Sequence, residues 1–127
     1  MLYMYDKELA LEVAKQIHQA AKTIQYRFEP VKKISDFTDS PQGTEKLDSI
    51  CMLLIAIGEA LKNFDKITNN SLLSLYPQVN WKNAKGMRDV ISHHYFQVDA
   101  EIIYNACIDH INEMVNTLQE IIKDLST

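Results

Sequence analysis

Within the eight positions from Arg88 to Tyr95, in the stretch Gly86-Met87-Arg88-Asp89-Val90-Ile91-Ser92-His93-His94-Tyr95-Phe96, stand an arginine, an acid, two histidines and a tyrosine. Apolar residues flank this set, and packing alone does not explain its density. Histidine titrates near neutrality, so it can take the proton from a ribose 2′-hydroxyl or protonate a departing 5′-oxygen. A planar guanidinium can meet the charge that builds on the phosphate between them. Arg88 and His93 are the candidates for these two roles, a chemistry that requires no metal.

Helical spacing constrains how they could cooperate. Asp89 and His93 are four apart and share a face, so the carboxylate could orient the imidazole and raise its pKa. Arg88 and Tyr95, seven apart, also share a face. Arg88 and His93 diverge by about 140° on one straight helix. Either the helix ends near His93 and turns that side chain back, or the two groups meet across a symmetric dimer.

Other mechanisms fall away by inventory. Di-metal sites in bundles need repeated Glu-x-x-His pairs, and only the reversed His110-x-x-Glu113 is present, which reads as an exposed, incidental pair. No metal or cofactor is expected. Cys51 and Cys107 lie on apolar stripes and read as small core residues in a reducing compartment. His18 reads as a helix-surface histidine. A net charge of −4 argues against a surface that grips nucleic acid non-specifically, so any RNA work depends on a local patch. Lys82, Lys85, Arg88, His93 and His94 are the candidate, opposed within their own segment only by Asp89; taken alone, the feature reads more simply as a solvated helix face.

The elements that must position these groups are helical. With 127 residues, 46% of them hydrophobic, three glycines and three prolines, the chain predicts one domain over residues 1–127. Leu9, Val13, Ile17, Ala21, Ile24 and Phe28 make one stripe of a first helix over residues 6–28. Residues 30–43 read as a loop with one short helical turn, with Ile34 and Phe37 as plugs. Thr44 offers a cap to a second helix, the most buried, with Met52, Leu53 and Ile55 filling its other sides. Gly58 within it implies close approach of another backbone. Glu59 beside it is either an exposed acid, the favoured reading, or a partner for Arg88. Asn69-Asn70 ends this helix, residues 71–76 form a short helical piece, and Asn80 caps a third helix that carries Arg88. A last helix spans residues 98–125.

The expected fold is therefore an all-α antiparallel bundle of four main helices plus short ones. The apolar N-terminus is too short for a signal peptide, and the run from 50 to 58 is about half of a membrane span. A soluble, cytoplasmic protein is expected.

Arg88-x-x-x-x-His93-x-Tyr95 resembles the R-x4-H-x-Y motif of HepT-like toxins, a branch of the HEPN superfamily of small helical ribonucleases. Ile57-Gly58-Glu59-Ala60, Tyr76-Pro77, Trp81-Lys82, Gly86-Met87-Arg88-Asp89 and His93-His94-Tyr95-Phe96 with Asp99 resemble the family's landmarks in order. The resemblance implies the toxin of a type VII toxin–antitoxin system, acting as a homodimer whose motif loops form a composite cleft for metal-independent RNA cleavage. Arg88 and His93 would be catalytic, with Asp89, His94 and Glu59 supporting. It further implies a partner, an MntA-like minimal nucleotidyltransferase antitoxin, that transfers AMP to Tyr95. His94 meets the superfamily's looser spacing and is the reserve for His93. The alternative is a non-catalytic dimeric HEPN subunit that binds a nucleotidyltransferase or nucleotide.

Overall fold

The computed structural model describes residues 5–93 and 99–127. Helix α1 (Lys7–Phe28) starts at Asp6, whose carboxylate accepts the Leu9 N–H at 3.0 Å. Ala10, Val13, Ala14, Ile17, Ala21 and Ile24 bury its stripe, while Leu9 stays exposed.

Helix α2 (Pro41–Ile67) begins one turn earlier than expected. Proline holds the preceding residue extended, so Ser40 takes the capping conformation and its hydroxyl accepts the Gly43 N–H at 3.0 Å. Thr44 is thereby a first-turn residue, its hydroxyl donating back to the Ser40 carbonyl at 3.2 Å. The preceding 3₁₀ turn (Ile34–Phe37) drives Phe37 fully into the core and leaves Ile34 exposed, so only one of the two expected plugs is one. Phe37 meets Phe28, which stacks edge-on with Tyr104 at 5.4 Å.

Leu47, Ile50, Leu54, Ile57, Leu61 and Phe64 of α2 are buried. Met52 is the exception to the expectation that the other sides are filled, being 73% exposed. Asn69 and Asn70 stop the helix in the left-handed region, φ 54° and 58°, with the Asn70 N–H closing onto the Asp65 carbonyl at 2.8 Å. A 3₁₀ turn (Leu73–Leu75) follows. The Tyr76 hydroxyl then bonds to Asp124, and Trp81 Nε1 donates to the Tyr76 carbonyl at 2.9 Å.

The third and fourth helices are each broken once. Helix α3 (Trp81–Lys85) gives way to α4 (Met87–Ser92) at Gly86, where ψ opens to −2°. Helix α5 (Ala100–Asp109), capped by Asp99, gives way to α6 (Ile111–Leu125) at His110. Apolar periodicity runs through both breaks, which is why each pair reads as one helix in the sequence.

Helix α1 packs on α2 and α6, and α3 and α4 pack on α2. The Lys7 ammonium donates to the Thr127 carbonyl at 2.6 Å, and Gln25 bonds Asn112 at 2.7 Å. The start of α1 thus lies beside the end of α6, and the two run antiparallel. The chain is an all-α antiparallel bundle of four main helices, two of them interrupted, with short 3₁₀ turns and no strand among the described residues. None of the described helices is long and apolar enough to cross a membrane.

Candidate active site

Three kinds of contact hold α3 and α4 on α2. The first is backbone on backbone: a Cβ at Gly58 would lie 2.9 Å from the Ala84 carbonyl oxygen, so only glycine permits this approach. Trp81 and Ile91 supply the second, burying apolar surface at the two ends of the pair. Ion pairs are the third. Lys85 Nζ meets Asp65 Oδ2 at 2.5 Å, and Arg88 Nη1 donates to Glu59 Oε1 at 3.0 Å.

Glu59 therefore combines the two readings open to it: its side chain is 41% exposed and it pairs with Arg88, so the favoured view of a plain surface acid is corrected. The Arg88 hydrogen bond holds its carboxyl below the usual range, and Lys62, 3.6 Å from the same Oε1, adds to the effect. The basic patch is likewise less bare than its own segment suggests, because α2 brings Glu59 and Asp65 against it. Asp65 and Lys62 were not singled out from the sequence. Their signal is the three-residue spacing Glu59, Lys62, Asp65 along the side of α2 facing the basic stretch.

Arg88 remains 60% exposed despite its partner. His93, also exposed, is the C-cap of α4, still in helical conformation at φ −63° and ψ −24°, with its N–H on the Asp89 carbonyl at 3.1 Å. The helical path thus persists to His93, and the divergence of about 140° from Arg88 holds within one chain. Asp89 is exposed on the same helix. His94 and Tyr95 lie outside the described residues.

Elsewhere, Cys51 and Cys107 are buried free thiols, pushed by burial up to about 11 and about 12. They are unsuited to nucleophilic work. His18 corrects the sequence reading: it is half-buried, its Nε2 is enclosed without a hydrogen-bond partner among the described residues, and burial, then Lys22, lowers its pKa. His110 and Glu113 lie on the rim of a cavity of about 140 Å³ floored by Leu54, Ile57, Met87 and Met114. Among the described residues no group of three or more His, Cys, Asp or Glu side chains could hold a metal ion.

A small antiparallel helical bundle that presents an arginine and a histidine along one exposed short helix and its C-cap is what the resemblance to HEPN-like proteins implies. Residues 17–121 match the family described as Ribonuclease HepT-like, and the chain belongs to that family. It is 35% identical over 103 residues to the Methanocaldococcus jannaschii protein named "Putative RNase MJ0127", covering 76% of this chain and 82% of that one. It is 34% identical over 101 residues to "Putative RNase TTE0752" of Caldanaerobacter subterraneus subsp. tengcongensis, covering 78% and 84%. No solved structure matches.

Proposed function

We propose that this protein is the toxin of a type VII toxin–antitoxin pair, a metal-independent RNA endonuclease that uses Arg88 and His93 in a cleft between two copies of the chain. His93 takes the 2′-hydroxyl proton and the 2′-oxygen attacks phosphorus. The P–O5′ bond breaks and the 5′-oxygen takes a proton from the protonated His93 of the second copy, so the products are a 2′,3′-cyclic phosphate and a 5′-hydroxyl. Arg88 meets the charge on the phosphate oxygens.

The observation that carries this reading is the position of the two groups: both exposed on α4, yet about 140° apart around it. A second copy related by a twofold axis brings one chain's arginine toward the other's histidine. The ribonuclease names of the family and relatives support the substrate class. Tyr95 is the acceptor for AMP from an MntA-like nucleotidyltransferase. An adenylate there adds negative charge to the motif, which repels RNA.

Expression of the chain alone should arrest growth, and Arg88→Ala or His93→Ala should relieve it. Cleavage of purified RNA should survive EDTA. Tyr95→Phe protein incubated with the partner and ATP should gain no AMP mass. Cleavage by both the Arg88 and His93 variants at the wild-type rate refutes the assignment.

A docking role without catalysis is the second reading, favoured by one observation: Lys85 and Arg88 are both paired with acids of α2. It predicts that the same variants are neutral while binding to the nucleotidyltransferase persists.

A further inference from the structure

We infer that Tyr26, with Lys22, Lys32 and Lys46 around it, is a second RNA-binding site, a platform on which a base of a single-stranded segment stacks outside the cleft. The inference rests on the reading of the chain as a ribonuclease. A chain of net charge −4 has to concentrate positive charge somewhere to hold a polyanion. Beside the cleft that charge is offset, since Lys85 and Arg88 are each paired with an acid of α2.

The end of α1 is different. Residues 22–33 hold four cations and one acid. Folding adds Lys46 of α2, which lines a groove with Tyr26, Glu29 and Lys32, while Lys22 and Lys32 line a second groove that shares the same tyrosine. Among the described residues none of these three lysines is in an ion pair. Asp36 is engaged with the backbone N–H groups of Lys32 and Lys33, at 2.8 and 3.2 Å, and Glu29 is the acid that lines both grooves, so the lining keeps a positive excess. Tyr26 is 78% exposed, more than any other large hydrophobic side chain described. Any base can cover such a ring by stacking, whatever the sequence, while the lysines beside it meet the neighbouring phosphates. An apolar helix laid on the ring would offer those lysines nothing. Lys46 and Glu59, the acid paired with Arg88, stand at positions 46 and 59 of one helix, about 20 Å apart along its axis. A dinucleotide in the cleft therefore stops short of Tyr26, and a longer strand reaches it.

The test follows binding of a labelled single-stranded RNA of about 16 nucleotides by fluorescence anisotropy, in a His93→Ala background that should not cut it. Tyr26→Ala should weaken binding about tenfold, whereas Tyr26→Phe, which keeps the ring, should stay within about twofold. Lys32→Gln together with Lys46→Gln should flatten the slope of log affinity against log salt by about 1.4, at about 0.7 for each cation removed. With His93 restored, Tyr26→Ala should raise KM on the long RNA by the same factor as the affinity loss and leave kcat alone, and the effect should vanish on a dinucleotide substrate. The ring is exposed, so these variants should melt with the parent protein. Affinity for the long RNA that is undetectable, or equal with and without the ring, overturns the inference; if Tyr26→Ala then loses the nucleotidyltransferase instead, the surface belongs to that partner. Wild-type protein that cleaves no RNA would sink the nuclease reading, and the anisotropy comparison would still decide whether Tyr26 holds a strand.

Discussion

Gly58→Ala tests the way the candidate site is hung on the bundle. The added Cβ lies 2.9 Å from the Ala84 carbonyl oxygen and 3.4 Å from that of Lys85. Both are backbone atoms of α3, so relief requires moving the element that leads into Arg88. Overpacking of this kind costs about 1–3 kcal/mol. Alanine in the middle of a helix returns about 1 kcal/mol of propensity. The net loss is therefore about 1 kcal/mol, or roughly 3–5 °C in Tm at this chain length. Two other glycines calibrate the reasoning. A Cβ at Gly43 would sit 2.1 Å from the Asp36 carbonyl oxygen, so Gly43→Ala should lose more, about 3 kcal/mol. At Gly86 the nearest atom is 3.4 Å away and φ is an ordinary −86°, so Gly86→Ala should stay within about 0.5 kcal/mol. Thermal unfolding followed by circular dichroism gives the three values, and RNA cleavage by the folded fraction shows whether α4 has moved. A Gly58→Ala protein that melts at or above wild type, or an order of loss that does not run Gly43, Gly58, Gly86, refutes the close-approach account.

Glu59 has a lowered carboxyl pKa, so the unfolded chain binds more protons there than the folded one. The stability it adds is present above its ordinary value of 4.5 and is lost as pH falls through the lower folded value; Glu59→Gln should remove that part of the acid dependence in urea titrations. Cys51 and Cys107, with thiols raised to about 11 and about 12, should resist a disulfide-exchange reagent at pH 8 and react together once urea unfolds the chain. Rapid reaction of either in the native state would contradict their burial. Phe37→Ala should cost about 3–5 kcal/mol by equilibrium unfolding, since the ring is fully enclosed where the 3₁₀ turn packs on α2 and α5, against Phe28 of α1. Ile34→Ala, at an exposed position of the same turn, should cost far less.

Much of the architecture was legible from periodicity. The stripe of α1 and the buried run of α2 follow from steps of three and four, and the Asn69-Asn70 stop from the tolerance of asparagine for left-handed backbone. What went astray was local competition among caps and breaks. Ser40-Pro41 outcompeted Thr44 because proline shapes the residue before it. The interruptions at Gly86 and His110 preserve the apolar face, so the pattern runs through them unmarked. Met52 reads as apolar filling, yet nothing in its neighbourhood along the chain reveals that it stays exposed, with none of the described elements covering it.

The sequence by itself determined the helical class, the buried stripes and the grouping of Arg88, His93 and their neighbours on one short segment, because these depend on residues close along the chain. Tertiary structure alone decided that Glu59 and Asp65 stand against Arg88 and Lys85, that Gly58 admits the Ala84 carbonyl, and that His18 Nε2 is enclosed. Those outcomes depend on which helix faces meet across separations of twenty or more residues. A hydrophobic pattern says that a face will be covered, while the polar side chains that meet at its edge are fixed only when the helices dock.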